Sequence, residues 1–322
     1  MTLNEFLAEW HNDNPRILVH TSGSTGKPKP LMVEKRRMLN SARITCDFLG
    51  LKPGDTALLC MPLDYIAGKM MVVRSLQRDL RLTSVRPSSH PLADDALPHF
   101  TFAAMVPMQV YNSLKVPCER ERLMHIRHLI IGGGAISDEL AQMIKPLPNA
   151  VWSTYGMTET LSHIALRRLN GPDASLWYTP FDGVGISLNA DGCLVIDAPE
   201  VCAEPLVTND IAQLRTDDRT GKTLFRIKGR KDNVVCSGGI KIQIEEVEET
   251  LRPHLSAPFM IVKKQDEMLG EKAILLTESA DLTHIEEICR NTLPKYWVPR
   301  EFLHIDHLPL TETGKPKRSG AF

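Results

Sequence analysis

The chain reads as an α/β protein, with a layered α/β N-terminal domain, a small β-rich subdomain and a small α+β C-terminal lid. Three observations carry that reading. Up to about residue 155, short apolar runs alternate with longer mixed stretches, the pattern of strands and helices packed in layers. From about residue 176 the runs shorten, and Asp182-Gly183 and Asp191-Gly192 punctuate them as turns, which marks a β-rich subdomain over 176–230. After Asp232, further strand and helix candidates precede a tail bounded by prolines.

Taken in order, Ile17-Leu18-Val19 is an apolar strand that runs into a glycine-containing loop. Residues 34–49 mix polar and apolar side chains and predict a helix ending near Gly50. Thr56–Met61 predicts a short strand, and Ile66–Leu80 a helix opened near Gly68. Phe102–Val106, His128–Ile131 and Val151–Tyr155 predict three more strands, the last entering a Tyr-Gly-Met-Thr-Glu turn. In such sheets ligands gather beyond the strand ends. In the C-terminal part, an element spans Ile240–Leu251, strands lie near Met260–Lys263 and Ala273–Leu276, and a helix lies near Thr283–Thr292.

The composition excludes several functional classes. A chain of 322 residues with 43% hydrophobic residues can hold two cores. A net charge of −1 gives no pull towards nucleic acid or an anionic membrane surface. No apolar run is long enough to span a bilayer, and the first residues lack the pattern of a signal peptide. Seven cysteines are scattered without CxxC spacing, which fits a reduced, cytoplasmic compartment without structural zinc. Small molecules are therefore the expected partners, and self-association is left open.

The chemistry begins at residues 21–29, Thr-Ser-Gly-Ser-Thr-Gly-Lys-Pro-Lys. Gly23 and Gly26 let the backbone turn tightly, so that successive N–H groups can converge on an anion. Thr21, Ser22, Ser24 and Thr25 add hydroxyls, and Lys27 adds charge, a set suited to a polyphosphate. The glycine spacing and Pro28 after Lys27 differ from a Walker A loop.

This nonamer resembles the phosphate loop of the acyl-adenylate-forming superfamily, and the other motifs follow in order across residues 21–315. Gly132–Ala135 resembles the adenine-side turn, and Thr154-Tyr-Gly-Met-Thr-Glu-Thr160 the signature after a central strand. Thr208-Asn-Asp210 sits at the ribose aspartate, with Asn209 where the family more usually has glycine. Gly229-Arg-Lys-Asp232 and Ser237-Gly-Gly239 resemble the hinge region, and Pro309-Leu-Thr-Glu-Thr-Gly-Lys315 the loop with a mobile lysine. Members usually carry a further lobe ahead of the phosphate loop, where this sequence has about twenty residues.

The resemblance implies an ATP-dependent acid–CoA ligase using Mg2+, with an adenylation domain over 1–231 and a mobile C-terminal domain over 232–322. Thr158 would bond the α-phosphate, Glu159 would bind magnesium, and Lys315 would bridge carboxylate and α-phosphate. Gly133, Gly134, Ala135, Tyr155 and Gly156 would border the adenine, and Asp210 and Arg230 would hold the ribose hydroxyls. Asp232 would be the hinge, and Gly238 and Gly239 would line the channel for CoA.

The acid is read from Pro62–Arg74, which resembles the corresponding stretch of the o-succinylbenzoate–CoA ligases of menaquinone biosynthesis. Arg74 would hold a second, unactivated carboxylate; the alternative is a pairing with a local acid such as Asp79. His163 would line the aryl pocket or be structural. Ligases for other acids, and adenylating enzymes that load a carrier protein, stand as rival functions.

Overall fold

The structure is a computed structural model that describes residues 1–20, 30–134, 136–310 and 317–318. The chain divides into two compact units. The first comprises Met1–Ile186, Ile196–Leu206 and Arg215–Phe225; the second comprises Ser187–Val195, Val207–Leu214 and the chain from Arg226 onward.

In the first unit, α1 (Leu3–His11) starts with a capping box. Glu5 N–H donates to Thr2 Oγ1 at 3.3 Å and Thr2 N–H to the Glu5 carboxylate at 2.7 Å, which satisfies two otherwise orphaned donors. The helix buries Phe6 and Trp10. Strand β1 (Arg16–His20) pairs antiparallel with β2 (Pro30–Glu34), Leu18 opposite Met32. Helix α2 (Lys35–Leu49) ends on Gly50 at φ 64°, a left-handed position that glycine adopts without steric cost. Then come β3 (Thr56–Leu59), α3 (Ile66–Arg78) and β4 (Arg81–Ser84). Gly68 lets α3 begin hard against the Pro62 carbonyl, which a Cβ would overlap.

The chain continues through β5 (Phe102–Met105), α4 (Pro107–Lys115), α5 (Pro117–Met124), β6 (His128–Ile131), α6 (Asp138–Ile144), β7 (Ala150–Gly156), β8 (His163–Arg168) and β9 (Thr179–Pro180). The main sheet has seven strands in the order β4-β3-β5-β6-β7-β8-β9. The first five are parallel, and β8 and β9 run antiparallel at one edge. Strands β3 and β5 diverge towards opposite edges, so the strand order reverses between them, where open α/β sheets form crevices at their carboxyl ends. Parallel strands covered on both faces favour continuous apolar runs, and Phe102, Ala103, Ala104 and Met105 are all buried.

A four-stranded sheet follows, formed by β10 (Gly185–Leu188), β11 (Cys193–Asp197), β12 (Leu206–Thr216) and β13 (Thr223–Arg230). The expected turns at Asp182-Gly183 and Asp191-Gly192 carry positive φ at Gly183 and Gly192. A single 3₁₀ turn, Lys231–Asn233, then leads into β14 (Val234–Ser237), β15 (Ile240–Gln243), α7 (Ile244–Leu251), β16 (Phe259–Asp266), β17 (Gly270–Thr277), α8 (Leu282–Thr292) and β18 (Glu301–His304). These strands form a five-stranded sheet with period-two burial on both faces. Val235, Ile261 and Leu275 share a core with Val247, Leu251 and Ile285 of the two helices. Met260, Val262, Ile274 and Leu276 face the other way, against Leu303, Ile305 and Leu308.

No helix among the described residues is long and apolar enough to cross a membrane. All seven cysteines are free thiols; five are buried, and Cys118 and Cys236 are exposed. Burial pushes the thiols of Cys60 and Cys289 up to about 12.

Two stability predictions follow from buried polar groups. Both ring nitrogens of His128, at the start of β6, are buried without a hydrogen-bond partner. Burial, then Arg127 and Arg168, lower its pKa from 6.5 to about 4, so the fold holds it neutral. The unfolded chain binds that proton first as pH falls, so this part of the stability is present above pH about 6.5 and is lost towards pH about 4. Urea midpoints measured across that window are expected to fall less steeply for His128→Leu than for the parent; parallel profiles would count against it.

In the second unit, Arg318 donates from Nη2 to Glu248 at 2.6 Å and from Nε to the Ile261 carbonyl at 3.1 Å. The other Glu248 oxygen accepts from Ile261 N–H at 2.7 Å. Both side chains are largely withdrawn from water, so Arg318→Met leaves a carboxylate without its counter-charge, at a cost of about 3 kcal/mol. Arg318→Met/Glu248→Leu should recover most of that loss in chemical denaturation. A single variant as stable as the parent would show that the pair contributes nothing.

Candidate active site

The site in the first unit is built where β7, the last parallel strand, gives way to antiparallel β8. The register slips between Tyr155 and Gly156, and Gly156 pairs with His163. A Cβ on Gly156 would overlap the Ser162 carbonyl and the His163 backbone, so only glycine lets the chain return this closely. Fully buried Thr160 ties the return together: its hydroxyl accepts from Met157 N–H at 2.9 Å and donates to the Ser162 carbonyl at 2.6 Å. Leu161 is held at φ 64°, an uncommon left-handed position for a branched side chain. Within this turn Thr158 is buried and Glu159 is exposed, and the Glu159 carbonyl accepts a 3.5 Å contact from Cys202 Sγ.

Arg74 lies on α3 with 2% of its surface exposed. Nη2 donates to Ser162 Oγ at 2.5 Å, Nη1 makes a 3.9 Å contact with Met71 Sδ, and the buried Nε has no partner among the described residues. Burial lowers its pKa from 12.5 to about 10, only partly offset by Cys46, so the guanidinium stays charged at neutral pH. No carboxylate pairs with it among the described residues. Asp79, the local acid weighed as its partner, caps α3 in a left-handed conformation at φ 53°. His163 is buried alongside, with Nε2 at 3.1 Å from Thr45 Oγ1 and Nδ1 at 3.2 Å from Ser162 Oγ. Burial and then Arg74 hold its pKa well below the usual range for histidine. Its ring also meets Phe181, centroids 5.5 Å apart, beside a cleft lined by Ser41, Ile44, Val184 and Val201.

At the carboxyl end of β6, Gly133 has φ 80°, and a Cβ on Gly132 would press on Thr154 Oγ1. Gly134 follows in the same bend. Tyr155 packs against Phe225 edge-on, with centroids 5.0 Å apart, and against Tyr178 at 5.7 Å.

In the second unit, Asp210 on β12 and Arg230 on β13 meet, Nη1 to Oδ1 at 3.1 Å. Arg230 also donates from Nη2 to Asp232 at 3.0 Å, and Asn209 donates to the same carboxylate at 3.3 Å. Asn209 thus adds a donor beside Asp232 that a glycine there would lack. Gln243 Nε2 donates to the Arg230 carbonyl at 3.0 Å. Gly238 and Gly239, at φ 57° and 83°, make the two-residue turn between β14 and β15, where paired positive φ angles match the strand twist. The nonamer Thr21–Lys29, Ala135 and Lys315 lie outside the described residues.

The sequence profile of a family described as AMP-binding enzyme matches residues 4–203. The chain belongs to the AMP-binding enzyme family. It is 34% identical to an acyl-CoA synthetase (AMP-forming)/AMP-acid ligase II-like protein of Dyadobacter fermentans, covering 97% of this chain and 90% of that one, with a TM-score of 0.68. It is 25% identical to the 2-succinylbenzoate–CoA ligase of Bacillus mycoides over 95% of this chain and 69% of that protein. The o-succinylbenzoate coenzyme A synthetase of Bacillus subtilis, solved with ATP and magnesium ion, shares the fold at a TM-score of 0.74 and 23% identity, over 94% and 69% of the two chains.

Within this AMP-binding enzyme, two polar residues that touch His163 carried no signal in the sequence. Ser162 sits at the tail of the signature, where a serine carries no distinctive spacing. Thr45 lies on α2, 118 residues from the histidine that it touches, and no local pattern could join them.

Proposed function

We propose that this enzyme is an ATP-dependent acid–CoA ligase whose acid is 2-succinylbenzoate. One observation carries the choice of acid: Arg74 is a buried guanidinium that, among the described residues, has no carboxylate beside it and no partner for Nε. An uncompensated charge withdrawn from water costs several kcal/mol, and a dicarboxylic substrate would supply the missing anion. The relatives named 2-succinylbenzoate–CoA ligase support the same choice.

In the first half-reaction a carboxylate oxygen attacks the α-phosphorus of ATP and pyrophosphate leaves. In the second the thiol of CoA attacks the acyl carbon and AMP leaves. The nonamer is the proposed phosphate holder, Thr158 the donor to the α-phosphate, and Asp210 and Arg230 the partners of the ribose hydroxyls. A carboxylate and a guanidinium offer complementary acceptors and donors for a diol. Mg2+ would be held by Glu159 and phosphate oxygens, where it supplies charge neutralisation. Lys315 is assigned the meeting point of the two anions, Tyr155 and the Gly133–Ala135 turn the adenine, and the Gly238-Gly239 turn the pantetheine arm. Asp232 is the proposed pivot for movement of residues 232–322 between the half-reactions.

Steady-state kinetics with 2-succinylbenzoate and a monocarboxylic aryl acid test the choice of acid. Arg74→Ala and Arg74→Gln are expected to raise KM for the dicarboxylate about a hundredfold or more, and to affect the monocarboxylate much less. Arg74→Lys should recover only part, because an ammonium lacks the planar fork. Equal losses with both acids would remove the dicarboxylate reading. Lys315→Ala is expected to slow adenylate formation about a hundred- to a thousandfold and to spare thioester formation from supplied adenylate. Parent-like ATP–pyrophosphate exchange in that variant would refute the assignment.

A further inference from the structure

Arg74 does not stand alone in the interior. It ends a line of polar atoms that joins three segments of the first unit: α2, α3 and the start of β8. The protons along that line can be placed. Thr45 Oγ1 lies 3.1 Å from the Ser41 carbonyl, an acceptor only, so the single hydroxyl proton of Thr45 is committed there. Towards His163 Nε2, at 3.1 Å, Thr45 can then only accept, and Nε2 carries the imidazole proton. Burial and the neighbouring guanidinium both oppose a second proton on the ring, so Nδ1 is a bare acceptor. Ser162, 3.2 Å from Nδ1, donates its hydroxyl proton to it and turns its lone pairs towards Arg74 Nη2 at 2.5 Å.

In this order the imidazole proton and both hydroxyl protons have acceptors. The opposite tautomer would aim Nδ1–H and the Arg74 N–H at the same Ser162 oxygen. It would also leave the Ser162 proton without a placed acceptor, and would draw the Thr45 proton away from the Ser41 carbonyl. Burial makes such unmatched groups expensive.

We propose that Thr45 and His163 are positioning residues that act through Ser162 on Arg74, so that the tautomer of one imidazole sets how selectively this enzyme takes a dicarboxylate. The inference rests on Arg74 as the holder of the distal carboxylate. Ser162 takes one edge of the guanidinium, while among the described residues Nε stays unpartnered and Nη1 meets a thioether, which leaves N–H groups for an incoming carboxylate. Without the Nδ1 acceptor, the Ser162 hydroxyl can rotate and Arg74 loses its fixed orientation.

The test separates the relay from mere packing by using two amides. In His163→Asn the side-chain oxygen stands near the place of Nδ1 and can accept from Ser162. In His163→Gln the amide reaches the place of Nε2, and nothing accepts from Ser162. The quantity read is the ratio of KM values for 2-succinylbenzoate and a monocarboxylic aryl acid. We expect His163→Gln and Thr45→Val to worsen that ratio about tenfold, as for one lost hydrogen bond, and His163→Asn to keep it within about threefold. If Asn and Gln behave alike, His163 is structural and the relay is wrong. Should Arg74→Ala leave the ratio unchanged, the distal-carboxylate reading fails first; if Arg74→Ala removes the preference while Thr45→Val and His163→Gln do not, only the relay fails. A second measurement needs no variant. Nitrogen NMR of the labelled imidazole in the intact enzyme is expected to show Nε2 protonated and Nδ1 bare, and a proton on Nδ1 would overturn the proposal.

Discussion

The site in the first unit depends on a side chain that is missing. Where Gly156 ends β7, the backbone of Ser162 and His163 comes back so close that a Cβ has no room. Any other residue would push β8 off the edge of the sheet, and with it the hydroxyl that meets Arg74. That constraint also explains Leu161. A turn that must leave a parallel strand and return antiparallel over a few residues has to reverse its handedness somewhere. It does so at a buried leucine held at φ 64°, at a cost of about 1–3 kcal/mol. The Thr160 hydroxyl, bonded at both ends of the turn, helps to offset that strain.

The guanidiniums of Arg230 and Arg74 sit in opposite electrostatic surroundings. Arg230 is partly exposed and faces two carboxylates, Asp210 and Asp232, so its charge is matched before any ligand arrives. A diol competing for Asp210 and Arg230 exchanges hydrogen bonds rather than neutralising a charge. Arg74 is fully withdrawn from water and faces a hydroxyl and a thioether, so among the described residues its charge is unmatched. Placing it on α3, a helix packed against α2 and the parallel strand β3, surrounds it with enough core to tolerate that penalty. The difference separates a contact suited to a neutral sugar from one suited to an anion.

Much of this was legible in one dimension. His128–Ile131 is a strand to the residue, α2 stops at Gly50, and α8 covers the helix expected near Thr283–Thr292. These elements combine apolar periodicity with a boundary signal. What escaped lacks one or the other. Strand β4, Arg81–Ser84, is an edge strand of mixed residues with no strong run. Strand β18 owes its place to parallel pairing with β17, a partner about 27 residues away. Ile240–Leu251 is two elements, a strand and a helix joined without a break, because Gln243 both ends the strand and N-caps the helix and no Gly or Pro marks the junction. In the site, the position of Arg74 was readable from its spacing after Pro62. Its isolation from carboxylates among the described residues was not, since that depends on side chains far from it in sequence.

The distribution of the cysteines has a practical consequence. Because the thiolate is the reacting species, the buried thiols pushed up to about 12 are poor targets for alkylation near neutral pH. The two exposed ones, Cys118 on α5 and Cys236 on β14, fall one in each compact unit. Cys236 is also immediately followed by the Ser237-Gly238-Gly239 turn. The natural sequence therefore carries a ready pair of labelling handles. A donor dye on one and an acceptor on the other would form a molecular ruler, able to test the proposed movement of residues 232–322 without an engineered cysteine.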